Sequence, residues 1–337
     1  MNGAPADPND PLAAYNLPQQ KPLWLNAVHA KHIVKGNFMT LSTKPKTLEM
    51  GEWVAHQGEF NLTIPVTSDA NIKAVVEHYR NLWTFVKVIH DKTEDGTTIC
   101  NSRKCPRMSA GPYVTFLPDF LDPSDLVNSN HSFTWLNARR EPVEVPAHEY
   151  ITLMQRWISG KIENPEIFPT DPSSVSYAYN LGGPAAPASS TFPAGSSNPG
   201  AATATGPTTS NLPISALSGN DWVGKSSGFP RDFFEVCQAI FRQMFRVYAH
   251  LYWAHFTEPF YDLNLEKQLN SMFSHFVLTA IALDMMKPGE LEPMQPLIDL
   301  WAANGTFPPE SKAYACANLA AGKKLLELSE KEQEKFA

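Results

Sequence analysis

The sequence predicts an all-α fold: a four-helix-bundle core with extra helices and a small β-hairpin. Three observations predict it. Apolar residues recur at helical spacing in several long segments, strand-like runs are short and few, and the 29 prolines promise long irregular connections. Hydrophobic residues are 43% of the chain and aromatics 11%, enough for a real core rather than a disordered polymer.

Taken in order, residues 1–34 open Pro-, Ala- and Asn-rich and read as a mobile N-terminal tail. The segment NIKAVVEHYRNLWTFVKVIH then sets Ile72, Val75, Val76, Tyr79, Leu82 and Val86 on one helical face. The strand candidates PYVTFL, SFTWLN and EPVEVP follow. EYITLMQRWISGKI is helical through Tyr150, Met154, Trp157 and Ile158. In DFFEVCQAIFRQMFRVYAH the stripe is broad: Phe233, Val236, Cys237, Ile240, Phe241, Met244, Phe245 and Tyr248. LNLEKQLNSMFSHFVLTAI carries Leu265, Leu269, Met272, Phe273, Phe276 and Val277. The last helix turns heavily charged, as if leaving the domain.

The helices compose a single domain over 35–305, followed by an extension at 306–337. An insertion at 170–228 interrupts it. Its centre is nearly all Gly, Pro, Ala, Ser, Thr and Asn, which cannot bury enough apolar surface to offset ordering entropy. Residues 117–132 are irregular for the same reason.

A net charge of −7 argues against a nucleic-acid binder and suits a protein with a basic partner. The opening MNGAPADPNDPLAAY has neither the basic nor the apolar region of a signal peptide. The longest apolar run, FVLTAIALDMM, is too short for a bilayer and contains Asp284. The expectation is an intracellular protein without membrane insertion. There, paired cysteines bind metal more readily than they form disulfides.

One such pair is Cys100 and Cys105 in CNSRKC. Two histidines, His250 and His255, stand in FRVYAHLYWAHF. Two plus two matches a closed tetrahedral site, which leaves no position for water and is structural. On an ideal helix, however, positions five apart point about 140° from each other. The histidines therefore meet at one metal only if the helix distorts or ends between them, and Pro259 is a nearby terminator. The alternative on spacing alone is a core histidine, a surface histidine and two unrelated thiols. Cys237 lies on an apolar stripe and reads as core, and Cys316 has no assigned role.

The segments CPRMSAGP (105–112), FRVYAHLYWAHF and LNSMFSHF (269–276) resemble signatures of the Mob/phocein family of kinase coactivators. GEWVAHQ (51–57), YITLMQRWI (150–158) and FPRDF (229–233) are similar to further family segments, so the resemblance runs over roughly 35–300. It implies an all-helical domain with one structural zinc, held by Cys100, Cys105, His250 and His255. It also implies that Glu49, Glu52, Trp53 and Glu77 receive the basic N-terminal segment of an NDR/LATS-type AGC kinase. His275 falls in a family motif near that surface, with a packed helix histidine as its alternative. In one branch of the family a basic cluster docks phosphorylated Ste20-like kinases or scaffolds. Its matching positions here are Arg242, Gln243 and Arg246, and the glutamine weakens a multidentate phosphate grip. The stretch GEFNLTIPVTSDAN (58–71) lengthens the connection beside the implied kinase surface.

The expected function is thus a noncatalytic kinase adaptor. A scaffold that keeps the fold but binds other partners is a second reading, favoured by the insertion after Trp53. A zinc hydrolase is a third, disfavoured because a complete ligand shell leaves no open coordination position.

Overall fold

The computed structural model describes residues 11–12, 15, 17–18, 21–31, 73–111, 131–168 and 230–334. The core is helical, as the periodicity predicts. Helix α1 spans Lys73–His90, α2 Ala147–Ile162, α3 Phe233–His255 and α4 Glu266–Ala282. Beyond them lie a 3-10 turn at Pro288–Met294, α5 at Gln295–Ala303, α6 at Lys312–Ala315 and α7 at Leu319–Glu334.

Helix α3 is the central element. Its stretch Val247–Tyr252 is buried at every position, so no face of that turn meets solvent. A helix apolar all round must be enclosed by other elements. Helices α1, α2 and α4 supply the enclosure. From α1 come Val75, Leu82, Phe85, Val86 and Ile89, and from α2 Tyr150, Ile151, Met154 and Ile158. Tyr79 and Ser159 share a hydroxyl hydrogen bond of 3.0 Å that joins α1 to α2. Phe276 of α4 stacks on Phe241 at 5.2 Å and meets Tyr248 at the same distance. Such offset aromatic contacts add to what area burial alone provides.

Among the described residues, the β structure comes in two short pieces. Strand β1 (Ser109–Ala110) pairs antiparallel with β2 (His131–Ser132), and β3 (Trp135–Leu136) with β4 (Pro142–Val143). The β3–β4 pair is a hairpin closed by the Asn137 side chain, which accepts the backbone N–H groups of Arg139 and Glu141. PYVTFL lies outside the described residues, as do 58–71 and 170–228.

Both chain ends depart from expectation. The tail predicted over 1–34 contains a docked stretch: Trp24, Leu25 and Ala30 are almost wholly buried. The apolar cluster Leu23–Leu25 forms one 3-10 turn, and Trp24 sets its ring edge-on to Tyr252 and Trp253 of α3. The charged C-terminal segment is two helices, and α7 lies along α5. Its buried stripe is Ala321, Gly322, Leu325 and Ser329, three of the four small residues. Gly322 is obligatory there, since a Cβ would sit 2.1 Å from the Asp299 carbonyl oxygen.

Truncating Phe276 to Ala opens a cavity at the α1–α3–α4 junction. It should cost roughly 3–5 kcal/mol of stability. Denaturant unfolding of the variant beside wild type measures this, and a loss below 1 kcal/mol, on the order of a surface substitution, would show that the junction is not part of the packed core.

Candidate metal centre

The CNSRKC loop is built by its own side chains. Asn101 Oδ1 accepts the backbone N–H groups of Arg103 and Lys104, each at 3.0 Å, and its amide donates to the Thr98 carbonyl at 2.7 Å. That turn brings the Cys105 N–H to the Asn101 carbonyl at 2.8 Å. The loop is tied at both ends. Cys100 N–H donates to Ile89 at the end of α1 (2.9 Å), and the Cys105 carbonyl accepts from Ala147 at the start of α2 (3.1 Å).

Helix α3 meets this loop where it stops. At His255 the backbone leaves helical geometry (φ −131°, ψ 3°), and a π turn follows over Phe256–Tyr261. This is the helix ending that the five-residue spacing requires. The two rings, which a continued helix would point apart, lie 5.1 Å apart between centroids.

The four side chains converge. One ligand atom from each of Cys100, Cys105, His250 and His255 lies within 4.8 Å of all the others, and all four residues are buried. Cys100 Sγ is 3.6 Å from His250 Nε2, and Cys105 Sγ is 3.6 Å from His255 Nε2. A tetrahedral ion with ordinary thiolate and imidazole bond lengths would separate sulfur from nitrogen by about 3.6 Å. The residues therefore fit a metal ion.

The outer contacts fit as well. His250 Nδ1 is 3.1 Å from the Ser109 carbonyl of β1, which accepts its proton and leaves Nε2 to face the sulfurs. His255 has a backbone hydrogen bond with Glu258, whose carboxylate takes the Lys104 ammonium at 3.0 and 3.2 Å. Sequence reasoning singled out the four converging residues but not Ser109, because a carbonyl brought in by a two-residue strand leaves no residue-type signal.

Between themselves the two sulfurs favour holding one proton. The Cys100 thiol donates to Cys105, which lowers the Cys105 pKa; the imidazoles of His250 and His255 act in the same direction against burial. The same hydrogen bond, then burial, pushes the Cys100 thiol up. A cation at the centre would displace that last proton and take both thiolates. Burial lowers the His255 pKa and so favours the neutral imidazole that a metal needs.

The other predicted residues fall elsewhere. Glu49, Glu52 and Trp53 lie outside the described residues. Glu77 on α1 is half-buried, and burial raises its carboxyl pKa. His275 on α4 comes next to it: its ring is 5.0 Å from that of His78, the neighbour of Glu77. Burial pulls His275 down to about 4, and burial, with the charge of His275, holds His78 well below its ordinary value. Both are neutral packed imidazoles at ordinary pH.

Arg242 and Arg246 are both engaged within the chain. Arg242 pairs with Glu290 at 3.6 Å. Arg246 lies over the Phe133 ring at 5.1 Å and donates to Tyr150 Oη at 2.9 Å. That hydroxyl donates in turn to Gln243 Oε1 at 2.6 Å.

A sequence profile of the Mob1/phocein family matches residues 30–178 and 221–294, which include all four converging ligands. Similar proteins include the Maintenance of ploidy protein mob2 of Schizosaccharomyces pombe, 25% identical over 267 residues, covering 79% of this chain and 70% of that protein. The CBK1 kinase activator protein MOB2 of Saccharomyces cerevisiae is 26% identical over 273 residues, 81% of this chain and 62% of its own length. Its counterpart of the same name in Candida albicans is 25% identical over 292 residues, 86% of this chain and 63% of its own. The chain thus spans less than two thirds of these last two relatives.

Two outcomes follow from the geometry. Cys105→Ser or His250→Ala should lower the melting temperature, and strong chelation should lower that of wild type toward the variants. Unchanged melting of chelated wild type, with metal loss verified by elemental analysis, would exclude a structural metal. The second concerns His78 and His275, whose folded pKa values lie below the unfolded value of about 6.5. Below that pH the unfolded chain binds protons that the folded chain does not. Stability is therefore full above about pH 6.5 and falls as pH drops, by at most about 1.4 kcal/mol per unit for each histidine. Urea unfolding between about pH 7 and pH 5 should show a shallower loss in His275→Gln than in wild type.

Proposed function

The chain belongs to the Mob1/phocein family, and from that membership we propose that it is a noncatalytic coactivator of an NDR/LATS-type AGC kinase. The observation that carries the reading is the family match over both halves of the helical core, among relatives two of which are named kinase activators. Binding uses the face where α1 and α4 adjoin, with Glu77 and His275 on it and Glu49, Glu52 and Trp53 contributed from the preceding segment. Carboxylates there steer and register the Lys/Arg side chains of the kinase segment, and apolar anchors give most of the affinity. Holding that segment in one conformation shifts the kinase toward its active state.

The metal is zinc, one ion per chain, with a structural role. Two thiolates and two imidazoles are a donor set zinc takes readily, and four protein ligands complete its tetrahedron. Zinc supplies folding energy at such a site. The chain's part is to hold Cys100 and Cys105 between α1 and α2 while α3 delivers both histidines.

Docking of a phosphorylated Ste20-like kinase or scaffold at Arg242 and Arg246 is weak in this protein. A phosphate would have to replace Glu290 on one arginine and Tyr150 and Phe133 on the other. The protein acts in the cytoplasm, where its kinase partner and reduced thiols are both found.

The test is a titration with the basic N-terminal segment of an NDR/LATS-type kinase at low and high salt, beside a Glu52→Lys, Glu77→Lys double variant. Binding should weaken with salt and fall at least about tenfold in the double variant, as expected when steering carboxylates are reversed. No binding by folded, metal-loaded protein would overturn the coactivator reading and favour a scaffold with other partners.

A further inference from the structure

The two chain ends outside the family match meet each other. Tyr15 and residues 21–31 lie against α5 and α7, all but Ala30 and Lys31 beyond the matched span. The contacts are polar and specific. Ala27 N–H donates to Ser329 Oγ of α7 at 3.1 Å, and that hydroxyl donates on to the Leu325 carbonyl at 2.9 Å. Asn26 Nδ2 donates to Glu332 at 3.1 Å, and the Lys21 ammonium is 3.0 Å from the same carboxylate.

A buried carboxylate connects the same parts a second time. Asp299 on α5 has no exposed surface. Its Oδ2 accepts the Tyr15 hydroxyl, and its Oδ1 accepts Gln295 Nε2 at 2.7 Å and the Asn318 N–H at 2.8 Å. Asn318 is where α7 begins: its own Oδ1 accepts the Ala321 N–H at 3.2 Å. The N-terminal segment and the start of α7 thus share one acceptor. Withdrawing either leaves a buried carboxylate short of a donor, so Asp299 is fully satisfied only when the N-terminal segment and the start of α7 are both seated.

The remaining contacts hold the segment from the core. Trp301 Nε1 donates to the Ala30 carbonyl at 2.8 Å, and Asn270 Nδ2 to the carbonyls of His29 and Lys31, each at 2.8 Å. Trp24 covers Tyr252 and Trp253. Lys21, Asn26 and Ala27 are thus bonded to α7, Trp24 rests on α3, and His29 to Lys31 are held by α4 and α5.

We propose that the N-terminal segment is a strap and α7 its latch: the two dock and release as one unit, and release bares the Tyr252–Trp253 face of α3. The latch closes through the close approach of Gly322 to α5, where even one carbon more would strike backbone. Ser329, Glu332 and Asp299 transmit its position to the strap.

Hydrogen–deuterium exchange on the full chain tests this, comparing wild type with Gly322→Leu, which cannot seat α7, and with Trp24→Ala, which loosens the strap alone. Peptides covering 21–31 and 319–334 should both exchange at least about tenfold faster in each variant, while peptides from α1 and α3 stay at wild-type rates. The proposal is overturned if α7 peptides speed up in Gly322→Leu while 21–31 keep wild-type protection. Should Gly322→Leu loosen α1 and α3 too, the milder Ser329→Ala, Glu332→Ala pair decides. Faster exchange of 21–31 together with 319–334 supports the latch, and unchanged exchange of 21–31 overturns it.

Discussion

One helical turn with no solvent-facing side, Val247–Tyr252 of α3, dictates much of this architecture. From Val247 to Tyr252 every side chain of α3 is buried, including His250. Burial of six consecutive positions cannot be met by one neighbour, because successive residues point about 100° apart. Helices must therefore stand on several sides, and they come from far along the chain on both flanks. The aromatic layer of Phe241, Tyr248, Phe273 and Phe276 fills the α3–α4 side. On another side β1 stands in place of a helix: Ser109 and Ala110 are both buried, and the strand packs against α3. A peptide edge lying there needs its polar groups satisfied. The Ser109 carbonyl finds its donor in His250, so the enclosure of α3 and the orientation of a metal ligand are one contact.

The metal centre extends this logic to the end of α3. A loop between α1 and α2 offers two sulfurs, each fixed by a backbone bond to the helix beside it. The departure from helical geometry at His255 turns its ring toward the same point as that of His250. Coordination by all four would join the ends of three helices through one ion. An apolar contact could press those ends together, but it is not directional. A tetrahedral shell fixes angles as well as distances. The salt link between Lys104 and Glu258 crosses the same junction at the surface, where screening makes it worth little.

Much of this was legible in the sequence, and the failures have physical causes. The helices follow from their 3.6-residue stripes, and the ligands from residue type and spacing. The convergence of His250 and His255 did not follow from spacing, because it depends on where α3 stops. Pro259 hinted at an ending, but the break comes earlier, at His255 itself. Composition misjudged both ends. Averaging over Pro, Ala and Asn hid the cluster Leu23–Leu25, whose burial rests on partners more than two hundred residues away, such as Trp253. Charge on α7 masked a buried stripe that holds one large apolar residue, Leu325, among Ala321, Gly322 and Ser329, and Gly322 matters for the side chain it lacks. Arg242 and Arg246 looked like available cations because their partners, Glu290 and Tyr150, are remote in sequence.

The proposed kinase-facing surface and the metal centre are mechanically linked through α1 and α4. Helix α1 carries Glu77 near its start and is bonded through Ile89 to Cys100 at its end. Helix α4 carries His275, and its start is tied by the Leu265 N–H to Phe260 at 2.7 Å, within the π turn that follows His255. An ion held by the four residues would fix the end of α1 directly and the start of α4 through that turn, limiting how far the two helices can slide against each other. Between them, His78 and His275 stay neutral by burial and add no charge that would need a partner or admit water. A coactivator contributes no bond-breaking groups, so its effect depends on binding one conformation of its partner more tightly than others. A surface that yielded to every conformation would lose that difference. The buried cysteine–histidine set, at the other end of α1 from Glu77, would act on the proposed surface by making it hard to deform.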